Sequence, residues 1–203
     1  QSGTGYGAVP AEKNKINTSL GSVTFSQSDQ QLYGYDNYTL TQWIHYYKQV
    51  KDEATGKDVP VDWKSIQAKK YDEVEINFNI TSNKIDPDSI IVRSGTGTVY
   101  YPKGTGSKRK IYIVGSTQGD VQELFASCRI KKDSIINLGK LNAVSYAMQE
   151  KEVVWVPFNS SNLNINPSQI EKDLNKTYSP ALTKWKVSIS PPLTIPDSLW
   201  DKD

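Results

Sequence analysis

The chain has one cysteine, one histidine and one methionine in 203 residues. A single thiol excludes an intramolecular disulfide framework and a multi-cysteine zinc site. One imidazole excludes every device that needs two, including paired histidine ligands on one helical face. No apolar run approaches the roughly 18 residues that a membrane-spanning helix requires. Neither sign of charge dominates: 24 Lys and Arg against 22 Asp and Glu leave a formal net charge of +2. The basic residues are scattered rather than striped, so the sequence carries no electrostatic footprint for nucleic acid. The densest basic run, Lys108-Arg109-Lys110, follows Gly104-Thr105-Gly106 and reads as a hairpin tip bearing solvated charges.

What is abundant points to strands. There are 12 Tyr, 5 Trp, 13 Gly and 10 Pro. Aromatic and β-branched residues favour pleated surfaces, and Gly, Pro and Asn punctuate turns. Glu73 to Ile80 gives the clearest strand: Val74, Ile76, Phe78 and Ile80 alternate with polar residues, the period of a sheet with one wet face. Further strands are expected over 89–93, 98–101, 110–114 and 121–130, with Asp86-Pro87-Asp88 as a turn. Several short strands at this spacing predict a mainly β fold with an immunoglobulin-like β-sandwich over 68–138. Residues 1–67 read as an extended arm followed by an aromatic-rich segment. Residues 1–22 are polar and Gly-rich and read as an extended arm or a disordered tail, with a short strand at 23–25 after them. Thr39 opens a helix predicted to run to about Val50.

Residues 139–203 read differently, as a small α+β unit with a loose C-terminal tail. Strands are expected over 141–148 and 152–158. Pro167 and Ser168 then open a helix whose apolar stripe is Ile170, Leu174, Tyr178, Ala181 and Leu182. Pro180 sits late in that helix and is expected to break or kink it, and Trp185, Val187 and Ile189 alternate as a strand. The order is strand, strand, helix, strand.

Candidate chemistry is sparse. His45 would have to serve any nucleophile–base device, but it lies among aromatics and reads as a packed or surface residue. Cys128 sits on an expected strand and reads as a small buried hydrophobe. The stretches Ser94-Gly95-Thr96-Gly97-Thr98 and Gly104-Thr105-Gly106-Ser107 lack the Gly-Lys-Ser/Thr ending of a phosphate-binding loop and read as turns. No carboxylate pair stands out as a glycosidase couple, and Asp86 with Asp88 lacks the ligand series of a calcium loop. Neither a catalytic residue, a metal nor a cofactor is expected. The aromatic cluster Tyr33, Tyr35, Tyr38, Trp43, Tyr46 and Tyr47 is the binding candidate, for protein or carbohydrate. Its competing reading is a small core under the N-terminal segment, which the rarity of large exposed apolar patches favours.

Two stretches carry a resemblance. One is Gly139-Lys140-Leu141-Asn142-Ala143-Val144-Ser145-Tyr146 with Val153-Val154-Trp155-Val156-Pro157-Phe158-Asn159. The other is Leu174-Asn175-Lys176-Thr177-Tyr178-Ser179-Pro180-Ala181-Leu182-Thr183-Lys184-Trp185-Lys186-Val187. Together with Tyr33-Gly34-Tyr35-Asp36 and Val59-Pro60-Val61-Asp62-Trp63-Lys64 they resemble the non-catalytic region of large secreted Bacteroidetes surface proteins bearing metzincin-like zinc-peptidase domains. The resemblance covers about half the chain. It implies that 153–158, 169–183 and 185–189 are the strand, helix and strand that open such a domain. The zinc-binding His-Glu-x-x-His helix would lie beyond this chain, whose one histidine cannot supply it. Asp88-Ser89-Ile90, Asp133-Ser134-Ile135 and Asp197-Ser198-Leu199 resemble the short O-glycosylation signal of the same group, making Ser89, Ser134 and Ser198 candidate modification positions. The expectation is a secreted or cell-surface accessory module without an active site of its own, its signal peptide removed before Gln1. Its partner is a protein or cell-surface material. The alternative is a stand-alone adhesion or carbohydrate-binding module.

Overall fold

A computed structural model describes residues 15–37, 47–131, 134–158 and 165–194. The protein is mainly β, and it divides into two compact units, 1–147 and 148–203.

Among the described residues the first unit holds three sheets. A small one joins β1 (Lys15–Ile16), β4 (Gln49–Asp52) and β5 (Asp58–Pro60), in the order β1-β4-β5. A three-stranded antiparallel sheet runs β10 (Lys108–Val114), β7 (Tyr71–Ile80), β2 (Gly21–Ser26). The largest has six strands. Their order is β3 (Tyr35–Asp36), β6 (Trp63–Gln67), β12 (Ser134–Tyr146), β11 (Val121–Lys131), β8 (Ile91–Ser94), β9 (Val99–Tyr100).

Period-2 alternation fixes which side chains go inward. On β7, Val74, Ile76 and Phe78 are buried, and their neighbours on the same face are Val23 and Phe25 of β2 and Ile111 and Ile113 of β10. On the six-stranded sheet, Ile66, Leu141, Ala143, Leu124, Ala126 and Val92 are buried. The two sheets come together without a spacer where β2 passes β12. A methyl group built on Gly139 would overlap the carbonyl oxygen of Val23, so only glycine admits that approach. Gly115 does the same at the end of β10, against the backbone of Gln67.

Several expectations are corrected. Residues 15–22 are not an arm. Ile16 is buried with Val50 and Val61, and its neighbour Thr18 donates to Asp52 from both its backbone N–H (3.1 Å) and its hydroxyl (2.8 Å). The helix expected to reach Val50 does not: residues 49–52 are strand, with Val50 and Asp52 alternating inward. The remainder of that helix, 39–46, lies outside the described residues. The basic run is strand rather than hairpin tip. Period 2 aligns Arg109 with Ile111 and Ile113, so its guanidinium is buried, while Lys108 and Lys110 face outward to Glu75 (3.0 Å) and Glu73 (2.7 Å). The boundary expected at 138/139 falls inside β12, one continuous strand from Ser134 to Tyr146.

The second unit is a strand–helix–strand. β13 (Gln149–Trp155) and β14 (Thr183–Ile189) pair in parallel, joined through α1 (Pro167–Tyr178). Asn166 caps the helix by accepting the N–H of Gln169 (3.1 Å), and Pro167 takes the first helical position, where its missing N–H costs nothing. The helix stops at Tyr178, two residues before Pro180, and a 3-10 turn over Ser179–Ala181 follows. Leu182, in the left-handed conformation at φ 57°, turns the chain into β14.

Candidate interaction surfaces

Tyr33 and Tyr47, two of the three aromatic candidates among the described residues, are built into the first unit rather than offered to solvent. Both are buried. The Tyr33 hydroxyl donates to Gln67 (2.9 Å), and burial, then the nearby Asp72 charge, push that phenol up from its ordinary value. Tyr35 is half-buried and donates to Asp62 (2.9 Å). Tyr38, Trp43, Tyr46 and His45 lie outside the described residues.

Beneath Tyr33 lies a feature that the sequence did not announce. Lys64 and Asp72 form an ion pair in which neither side chain is exposed at all. Asp72 also accepts the backbone N–H groups of Leu32 (2.7 Å), Tyr33 (3.1 Å) and Glu73 (2.9 Å). Lys64 donates to the carbonyl of Tyr33 (2.6 Å). Burial holds the Lys64 ammonium below its ordinary pKa, against the opposing pull of Asp72. This pair pins the 32–34 segment between β6 and β7; every polar atom named is already bound within the chain, which makes it a fastening rather than a ligand site.

A cleft of about 440 Å³ opens beside β7 and β10, lined by Phe78, Ile80, Asp86, Asp88, Ser107 and Arg109 among others. Arg109 lies over the Phe78 ring (5.0 Å) and donates to Asp88 (2.6 Å). Asp86 accepts the N–H of Asp88 (2.9 Å), which is the turn chemistry expected of Asp-Pro-Asp. Among the described residues no group of three or more His, Cys, Asp or Glu is placed to hold a metal ion.

Cys128 is buried, and burial pushes its thiol up to about 11, the opposite of what a nucleophile requires. Ser89 and Ser134 are exposed; the Ser89 hydroxyl donates to the carbonyl of Asp86 (2.6 Å). Ser198 lies outside the described residues.

The second unit presents the most open surface. Among its described residues only Leu182 is buried. Val154, Trp155, Val156, Phe158, Ile189 and Leu193 are each between 40 and 50% exposed. All belong to the C-terminal end of the strand pair, where Trp155 stands opposite Ile189 and Phe158 bridges to Leu193. One face of this sheet is covered by α1, through Tyr178, which meets Trp185 edge to face at 5.7 Å. The other face begins charged, with Glu150 and Lys186 3.9 Å apart, and ends apolar at Val154. The sequence places a strand here, over 152–158, but gives no sign that Val154, Trp155 and Val156 stand open.

No protein-family model matches the chain, and no curated protein matches it. Among solved structures, Dex49A from Penicillium minioluteum aligns with 91% of this chain at 9% identity and a TM-score of 0.29, and the chain spans 37% of that protein's length.

Proposed function

We propose that this chain is a non-catalytic accessory module of an exported bacterial cell-surface protein, made of an immunoglobulin-like β-sandwich and a strand–helix–strand unit that works by contact. The observation that carries the reading is the second unit. A parallel pair of strands belongs in a sheet covered on both sides, yet only Leu182 of its described residues is buried and six large apolar side chains stand at one end of its strands. Apolar surface gathered in this way marks a place where protein docks. In the first unit the charged and polar side chains under Tyr33 are spent on one another, which fits a scaffold. On this reading the second unit is the opening of a larger α/β domain, in keeping with the resemblance to metzincin-like peptidase proteins, and any zinc site belongs to residues outside this chain.

The intact mass of the polypeptide purified from its natural source tests this. A product much heavier than these 203 residues account for is expected, and the chain by itself is expected to bind no stoichiometric zinc. Turnover of a substrate by the chain alone, lost when one of its side chains is changed, overturns the reading.

A further inference from the structure

The two edges of the second sheet are not equivalent. In a parallel ladder, successive N–H groups point alternately to the two sides of a strand. The N–H of Gln149 reaches the carbonyl of Leu182 (2.8 Å), so on β13 the odd-numbered residues donate toward β14. The N–H of Ser190 reaches the carbonyl of Trp155 (2.9 Å), so on β14 the even-numbered residues donate toward β13. The odd-numbered N–H groups of β14 therefore face its outer edge, and α1 has taken those of Trp185 and Val187. Asn175 accepts from the N–H of Trp185 (2.7 Å) and returns a hydrogen bond to the carbonyl of the same residue (3.0 Å), as a neighbouring strand would. Glu171, one helical turn earlier, accepts from the N–H of Val187 (3.0 Å). At Trp185 and Val187 the β14 edge is filled by side chains of its own unit.

Among the described residues the β13 edge has no such cover. Its outward donors are Glu150, Glu152 and Val154, and β13 pairs with no strand but β14 among the described residues. The side chains of the same three residues share the face away from α1 and run from acidic to apolar, Glu150 and Glu152 standing beside Lys184 and Lys186 of β14 and Val154 beside Ser188.

We propose that the outer edge of β13 is the docking site for one extended polypeptide segment, which adds as a third strand and carries basic residues opposite Glu150 and Glu152 and apolar residues opposite Val154 and Val156. The proposal rests on the reading of the second unit as a contact unit and adds to it which edge is used and by what. Strand addition draws affinity from main-chain hydrogen bonds and specificity from alternate side chains. The existing ladder continues across β13 unchanged. Charge selects the partner: self-pairing of two β13 strands about Glu152 sets glutamate against glutamate, and like charges directly opposite are destabilising, whereas lysine or arginine is complementary there.

Amide hydrogen exchange on isotope-labelled protein, followed residue by residue, tests it. In the free protein the amides of Glu150, Glu152 and Val154 are expected to exchange at least about tenfold faster than those of Lys151 and Val153, which the ladder with β14 protects. Trp185 and Val187 are expected to be protected despite lying on an edge strand. The probe is the acetylated, amidated peptide Lys-Thr-Lys-Thr-Val-Thr-Val, with its reversed sequence covering the opposite strand direction. One of the two is expected to slow the three outward amides, and the same peptides with lysine replaced by glutamate are not. Val154→Pro removes an outward N–H and none of the β14 bonds, so it is expected to abolish the peptide effect while Lys151 and Val153 stay protected. Protected outward amides in the free protein, no effect of either lysine peptide, an equal effect of the glutamate peptides, or full binding by Val154→Pro each overturn the proposal. Any of these leaves the mass of the native polypeptide, which decides the broader reading, untouched.

Discussion

Replacing Lys64 by methionine removes the ammonium that Asp72 faces while keeping most of the side-chain volume. Both partners have zero exposure, so water cannot take the place of the lost charge. Breaking a buried pair from one side costs about 3–5 kcal/mol, because the remaining charge stays uncompensated. Lys64→Met is expected at the lower end of that range, because Asp72 keeps its hydrogen bonds from the N–H groups of Leu32, Tyr33 and Glu73. Asp72→Ala is expected to cost more, since it leaves the Lys64 ammonium and those three donors without their acceptor. For a unit of this size each kcal/mol moves the melting temperature by about 2–4 °C, so Lys64→Met shifts it down by roughly 6–12 °C. Urea unfolding followed through the backbone amides of β7 reads the first unit specifically, and the double variant completes a cycle. The double variant is expected to fall short of the sum of the single losses by about 1–3 kcal/mol. A Lys64→Met protein within about 0.5 kcal/mol of the original, or strictly additive losses, refutes the fastening role.

The first unit should weaken in acid. Hydrogen bonds from Lys110, Ser28 and Tyr112 outweigh burial and hold Glu73 down to about 2, against an ordinary 4.5. The folded carboxyl thus sheds its proton more readily than the unfolded one; the stabilisation is complete above about 4.5 and is lost as pH falls toward 2, a loss on the order of 3 kcal/mol. Asp52 is lowered in the same direction by its hydrogen bonds from Thr18, Thr55 and Ala54, which overcome burial. A stability–pH profile of Glu73→Gln should be flatter through that window, and an unchanged profile contradicts the assignment. Gly139→Ala should destabilise by about 3 kcal/mol, the upper end of ordinary overpacking costs, because backbone rather than a yielding side chain occupies the space; an unaltered urea midpoint shows that β2 and β12 can separate freely. Cys128 should resist an aromatic disulfide reagent in the folded protein and react fully once urea unfolds it, and rapid labelling under native conditions removes it from the core.

How far the sequence could be read depended on whether a segment's signal was local. The alternation of Val74, Ile76 and Phe78 is self-contained, and β7 formed where expected. The stop before Pro180 is equally local, because proline's ring and missing N–H act on the preceding turn whatever lies elsewhere. Ile16 and Val50 failed as local signals: each is one apolar residue in a polar stretch, and each becomes core only when three short strands assemble. Arg109 was misread because a guanidinium among lysines looks solvated until Asp88 and Phe78 are brought beside it. Lys64 had a usable clue. It shares parity with Ile66 on β6, so a strict period-2 reading puts it inside. What that reading cannot supply is Asp72, which sits on a different sheet. The edge closure by Glu171 and Asn175 was likewise invisible, since both occupy ordinary polar positions of an amphipathic helix.

Side chains of one helix close part of one edge of this ladder and leave the other open, so growth has a direction. A further copy of this unit cannot pair with β14 at Trp185 or Val187, whose outward groups the helix side chains already hold. Addition is thereby confined to the β13 side, which narrows the hazard of edge-to-edge growth that an exposed strand pair otherwise carries.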